Sequence, residues 1–353
     1  MSSRFTYEAL PMRVVFGDGS LQQLPAEAER LDIGRCLVLC TPGHQELGTS
    51  AAEILGDRTA GIFAGARMHV PVETAEAAVR AATDHRADSC VAIGGGSAVG
   101  LGKAVALTHG LPLIAVPTTY AGSEMTPIWG LTDATRKRTG RNRKVLPRSV
   151  IYDPRLTLAL PADVSAASGL NAVAHAVEAL YAPDRSPITS LWAEDAVKTM
   201  ASALPAVVSN GADVAARSAA LRAAWLCGAC LGATTMGLHH KLCHVFGGTF
   251  DLPHAATHAV LIPHVASYMI AREPEAAAAL SRALGDDPVT ALHELADLTG
   301  APRTLGELGI EEADLATVID QTVAAVPVSP DELRALLLDA LHGVSMNYTA
   351  ESG

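Results

Sequence analysis

The sequence predicts an α/β dinucleotide-binding domain built on a parallel sheet, followed by an all-helical substrate domain. Three observations carry that expectation. Up to about residue 155, short β-branched runs alternate with Ala-rich helical stretches, the pattern of a doubly wound sheet. From residue 156 the strand signals stop, and amphipathic segments punctuated by Pro161, Pro187, Pro205, Gly211, Pro253, Pro288 and Pro330 run to the C-terminus. Between a buried strand and a helix stands the glycine run Gly94-Gly95-Gly96. The domains are accordingly placed at 1–155 and 156–353.

The elements follow in order. Arg13–Phe16 reads as a strand closed by Gly17-Asp18-Gly19. Cys36–Cys40 is a second buried strand ending at Thr41-Pro42-Gly43. A helix over Val72–Asp84 leads to the strand Ser89–Ile93. The helix after the glycines, Ser97–His109, feeds Leu113–Val116 and the loop Pro117-Thr118-Thr119. Arg148–Tyr152, before Asp153-Pro154, is the last strand.

Composition narrows the function classes. The chain has 353 residues, 49% of them hydrophobic, which excludes general disorder. A net charge of −11 speaks against nucleic acid, since the basic stretch Arg136–Lys144 is too short to track phosphates. The opening residues lack a signal-peptide pattern. The longest nearly uncharged run, Ala223–Leu238, is shorter than a membrane span and reads as a buried core helix. Six irregularly spaced cysteines read as reduced core residues. The expectation is a soluble cytoplasmic protein without a membrane or nucleic-acid partner.

Gly94, Gly95, Gly96 and Ser97 predict a phosphate cradle. Glycines let the backbone approach a ligand, and a helix start presents unpaired N–H groups and a positive dipole end. The spacing departs from the usual Gly-x-Gly-x-x-Gly fingerprint. The alternative is a tight turn with no ligand. Hydroxyls at Thr118, Thr119 and Ser123 follow the next strand, where open α/β sheets bind ligands. The segment after Cys40 begins with Thr41 and offers no carboxylate for a ribose diol, so both NADH and NADPH are expected to serve.

Six of the 13 histidines fall between residues 239 and 264. His240 and His244 share a helical face, as do Asn171 and His175. His240 and His254 would lie roughly 21 Å apart on one straight helix. Gly247-Gly248 and Asp251-Leu252-Pro253 are expected to break that helix and fold the chain back, gathering His175, His240, His244 and His254. Such a pocket can bind a metal or an anion, or move protons.

These segments together resemble the iron-containing alcohol dehydrogenase superfamily, over nearly the whole chain. The resemblance implies a dinucleotide-binding domain, a helical domain and substrate in the cleft between. It also implies a divalent metal held by one Asp and three His, positions that fall here on Asn171, His175, His240 and His254. Asn171 replaces the only anionic ligand, so weak metal binding or no metal is expected; Gly100 separately replaces an Asp common after the family's glycine loop. Segments 117–130 and 169–184 are similar to one branch, the maleylacetate reductases. Membership there would imply NADH- or NADPH-dependent reduction of the carbon–carbon double bond of maleylacetate to 3-oxoadipate in aromatic catabolism, by a homodimer. On that reading His240, His244 and His254 donate hydrogen bonds or the proton, and His175 and Asn171 orient the substrate. Lys241 either pairs with a substrate carboxylate or is a solvated surface cation, and protonated histidines offset the charge of the dianion. The main alternative is a metal-dependent NAD(P) alcohol dehydrogenase of the iron type.

Overall fold

The structure is a computed structural model that describes residues 5–10, 12–133 and 137–344. Arg136, at the head of the basic stretch, lies outside them. The contacts divide the chain into two compact units, one of Ala9–Leu160 with Ala212–Leu221, the other of the segment up to Glu8, Pro161–Gly211 and the chain from Arg222 onward.

The first unit contains β1 (Arg13–Phe16), α1 (Leu24–Arg30), β2 (Cys36–Leu39), α2 (Gln45–Leu55), β3 (Thr59–Phe63), α3 (Val72–Asp84), β4 (Ser89–Gly94), α4 (Gly96–His109), β5 (Leu113–Pro117), β6 (Ile128–Thr132), β7 (Lys137–Arg141) and β8 (Ser149–Tyr152). Six strands form a parallel sheet in the order β1-β8-β5-β4-β2-β3, and β6 pairs antiparallel with β7. Strands β2, β4 and β5 are buried along their whole length, which is why they read as continuous apolar runs. Alternate residues feed opposite faces. Cys36, Val38, Val91, Ile93, Ile114 and Val116 pack with Leu24 and Ala28 of α1 and Ala51 and Leu55 of α2. Leu37, Leu39, Ala92 and Leu113 pack with Ala78 of α3 and Leu101 and Val105 of α4.

The chain passes from β2 outward to β3, then returns to β4 and continues to β5 on the other side. The ends of β2 and β4 therefore flank the point where strand order reverses, the crevice where such sheets bind ligands. Gly94 ends β4 in register with Pro117 at the end of β5, so the two loops singled out by sequence emerge side by side.

The second unit is helical, as expected. It holds α5 (Ala162–Tyr181), α6 (Pro187–Ser209), most of α7 (Val214–Ala233), α8 (Leu238–Phe250), α9 (His254–Ile270), α10 (Pro274–Leu284), α11 (Pro288–Asp297), α12 (Leu315–Val323) and α13 (Pro330–His342). Leu242 and Phe246 of α8, Leu261 and Val265 of α9, Val318 of α12 and Leu336 and Leu337 of α13 share one core.

Some details differ from the expectation. Gly247 and Gly248 lie inside α8 and do not break it. The turn is made by Asp251, whose φ of 55° places it in the left-handed region, and by Pro253 at the start of α9. The apolar stretch Ala223–Leu238 is not one helix: α7 ends at Ala233. That helix is long and apolar enough to cross a membrane by length and composition, and 56% of its most apolar window is buried within the protein. Ala212–Leu221 groups with the sheet unit because fully buried Arg217 reaches Tyr120 Oη at 3.2 Å and the Leu160 carbonyl at 2.8 Å.

Candidate active site

The sheet unit carries the first set of candidate residues. Gly94 has φ of +139°, a conformation side chains resist. A Cβ on Gly95 would stand 2.9 Å from Thr119 Cγ2, so that residue is small because the second loop leans on it. Gly96 has open space around its Cβ position and is exposed on the first turn of α4, where N–H groups have no intrahelical partner. The Thr118 N–H bonds the Gly94 carbonyl at 3.1 Å, locking the loops together. Thr118 Oγ1 is buried with no hydrogen-bond partner, whereas Ser97, Thr119 and Ser123 are half-buried. Thr41, just past β2 on the other side of the crevice, bonds His44 Nδ1 through its hydroxyl at 2.8 Å. An open helix start, a glycine turn and an orphan hydroxyl at the sheet's switch point fit a dinucleotide phosphate.

Gly100 has its own structural reason. A Cβ there would meet Val70 Cγ2 at 2.7 Å. Val70 and His69 both hold positive φ, 46° and 60°, and Thr132 bonds the carbonyls of both.

The helical unit gathers the histidines. Helix α5 presents Asn171, half-buried, and His175, buried. Helix α8 presents His239 and His240, both buried, half-buried Lys241 and exposed His244. The turn at Asp251 brings back α9 with exposed His254 and buried His258. The rings of His175 and His240 stack at 4.8 Å, and His240 lies 6.5 Å from His244 and 5.2 Å from His258. His254 is tied in through His258, Nε2 to Nε2 at 3.1 Å, and His258 Nδ1 meets His239 Nε2 at 2.8 Å. The four predicted imidazoles thus belong to one cluster of six.

Sequence reasoning passed over the group that organises this cluster. Glu178 is 1% exposed and bonds His240 Nδ1 through Oε2. Its Oε1 accepts from the N–H groups of Gly237 at 3.1 Å and His239 at 2.8 Å, so the carboxylate also caps α8. The signal was legible: positions 171, 175 and 178 share one face of α5. His239 and His258 were passed over as well.

Electrostatics narrows which imidazoles of the cluster can carry charge. Burial, reinforced by neighbouring imidazoles, holds His175 and His258 well below the ordinary value of 6.5 and brings His239 down to about 3. These three are neutral near pH 7, because desolvation penalises the cation, and do not offset a dianion. Burial works to raise the Glu178 pKa, but His240 and the N–H donors outweigh it and keep the carboxylate ionised.

His175 Nδ1 and His240 Nε2 are buried without hydrogen-bond partners. His254 Nε2 is engaged by His258, Asn171 is neutral, and Glu178 is committed to His240 and two backbone groups. Three imidazoles and an amide supply no charge compensation, so the set does not fit a site of one carboxylate and three imidazoles. His239, Cys243 and His258 also place their ligand atoms within 4.8 Å of one another. There, burial pushes the Cys243 thiol well above its ordinary range, and the imidazoles bond each other.

Comparison with known proteins agrees with both units. Residues 11–154 match the iron-containing alcohol dehydrogenase family, and residues 165–335 match the C-terminal part of the Fe-containing alcohol dehydrogenase family. The chain belongs to the iron-containing alcohol dehydrogenase family. Its relatives include maleylacetate reductase of Burkholderia cepacia, 49% identical over 96% of this chain and 98% of that protein. Maleylacetate reductase of Sphingobium indicum is 48% identical over 97% and 98%. The crystal structure of maleylacetate reductase from Rhizobium sp. strain MTP-10005 superposes with a TM-score of 0.93, at 46% identity, covering 97% of this chain and 99% of that one.

Proposed function

We propose that this protein is an NAD(P)H-dependent maleylacetate reductase that reduces the carbon–carbon double bond to give 3-oxoadipate in the breakdown of aromatic compounds. The carrying observation is the identity of nearly half across nearly the whole chain with maleylacetate reductases. The Asn171 site supports a reaction run without a metal.

When bound, the reduced nicotinamide supplies the hydride, which adds to the carbon β to the ketone. The electron pair of the double bond moves toward the ketone oxygen as an enolate, and the adjacent carbon takes a proton. In this scheme residues 1–155 bind the dinucleotide, with Gly94, Gly95, Gly96 and Ser97 around the phosphates. Thr118, Thr119 and Ser123 bond phosphate, ribose or carboxamide. Thr41, without a carboxylate, admits NADPH as well as NADH. Residues 156–353 bind the substrate. Imidazoles at His240, His244 and His254 donate to the enolate oxygen, and one supplies the proton. Asn171 and His175 orient the substrate, and Lys241 pairs with one of its carboxylates. A conjugated acceptor needs less polarisation than an isolated ketone, so hydrogen bonds suffice where an alcohol dehydrogenase uses a Lewis acid. The working form is a cytoplasmic homodimer.

The test is loss of reduced-nicotinamide absorbance on adding maleylacetate, with each cofactor, before and after exhaustive chelation. Turnover retained after chelation is expected. Dependence on re-added Fe²⁺ or Zn²⁺ overturns the metal-free scheme, and alcohol oxidation without maleylacetate reduction overturns the substrate. His244→Ala is expected to lower kcat about 100-fold if this residue moves the proton.

A further inference from the structure

Lys103 is 1% exposed, two turns into the helix that begins at the glycine run. A buried ammonium is costly unless its protons are all bonded. Here they are. Nζ donates to the Ser123 carbonyl at 2.6 Å, to Thr126 Oγ1 at 3.0 Å and to the Ile128 carbonyl at 2.7 Å. All three acceptors belong to the segment that follows Thr118 and Thr119. Thr126 Oγ1 also donates to the Ser123 carbonyl and accepts from the Ile128 N–H, so the threonine is the hub of the same network. Buried Glu124 lies in this segment and bonds Tyr152 Oη at 2.7 Å, tying it to β8. A core that needed only packing would place a methionine or leucine at 103, without the desolvation cost.

We propose that Lys103 is a positioning residue for the dinucleotide site. Its ammonium fastens the loop bearing Thr118, Thr119 and Ser123 to the helix whose first turn receives the phosphates. The two sides of the cradle are thereby held at fixed spacing before the ligand arrives, which lowers the ordering cost of binding. The inference rests on the dinucleotide reading above and adds a residue to it that touches no ligand.

The experiment measures NADPH and NADH dissociation constants by fluorescence titration, with melting temperature and steady-state kinetics, for the unmodified protein, Lys103→Met, Thr126→Val and Thr126→Ser. Lys103→Met and Thr126→Val are expected to weaken dinucleotide binding about tenfold. KM for the dinucleotide should rise with it, and KM for maleylacetate should stay within about twofold at saturating dinucleotide. Thr126→Ser, which keeps the hydroxyl, should bind like the unmodified protein. Lowered melting temperatures with dissociation constants unchanged mean a structural role only and overturn the proposal. If Lys103→Met does not fold, Thr126→Val alone decides. Failure of the unmodified protein to bind either dinucleotide overturns the dinucleotide reading and this inference with it, whereas binding that neither folded variant disturbs overturns this inference alone.

Discussion

Glu178 bonds His240 Nδ1 with one carboxylate oxygen and two N–H groups at the start of α8 with the other. One buried anion thus fixes both a helix end and the tautomer of an imidazole on that helix, leaving Nε2 of His240 as the nitrogen available to a substrate. Glu178→Gln keeps an oxygen to cap α8 and gives up the charge. We expect an intact fold by circular dichroism and a kcat lower by about 10- to 100-fold. Unchanged turnover would mean that another group orients His240.

Restoring a carboxylate at the amide position inverts the metal argument. Asn171→Asp places an anion on the same face of α5 as His175. The variant is expected to retain Zn²⁺ or Fe²⁺ through gel filtration, measured by elemental analysis, where the unmodified protein retains none in stoichiometric amount. Equal metal content in both would show that residue 171 does not govern occupancy.

Gly96 separates folding from binding. Its Cβ position is open and its backbone helical, so Gly96→Ala should leave thermal stability within about 0.5 kcal/mol. The added methyl stands where a phosphate must approach, and dinucleotide affinity should fall about tenfold or more. An alanine variant that binds as before would remove this turn from the ligand site.

Acid stability has a defined sign. Burial holds His264 at about 4, below its ordinary 6.5, and its ring packs edge-on against His293 at 5.5 Å. The unfolded chain therefore takes up a proton over that interval before the folded one does. Stability is fully present above pH 6.5 and declines as pH falls toward 4, by at most about 1.4 kcal/mol per pH unit for each such histidine. His264→Phe keeps an aromatic ring and removes the titration. Urea midpoints at pH 7 and pH 5 should differ less for the variant than for the unmodified protein, though other buried histidines preserve some slope.

The central strands were legible because burial on both faces leaves only apolar residues, as in Leu37-Val38-Leu39 and Val91-Ala92-Ile93. Edge strand β3, Thr-Ala-Gly-Ile-Phe, carries too few β-branched residues to stand out. The β6–β7 ribbon, outside the main sheet, has the polar composition of a loop. The histidines drew attention by crowding, but Glu178 did not, because a single carboxylate on an Ala-rich helix resembles any solvated charge. Its importance comes from what α8 brings opposite it, and pairing across 62 residues is not written in local periodicity. The break at Asp251–Pro253 was readable as turn chemistry, whereas the glycine pair inside α8 misled, since glycine weakens a helix without ending it.

The guanidinium of Arg217 answers a phenol and a carbonyl that precede it by 97 and 57 residues. Cutting the gene after Leu160 would therefore remove a cation from the interior of the piece retained. An excised α/β fragment should come out of expression insoluble or only partly folded. A circular permutant that rejoins Ala212–Leu221 to it should recover cooperative unfolding.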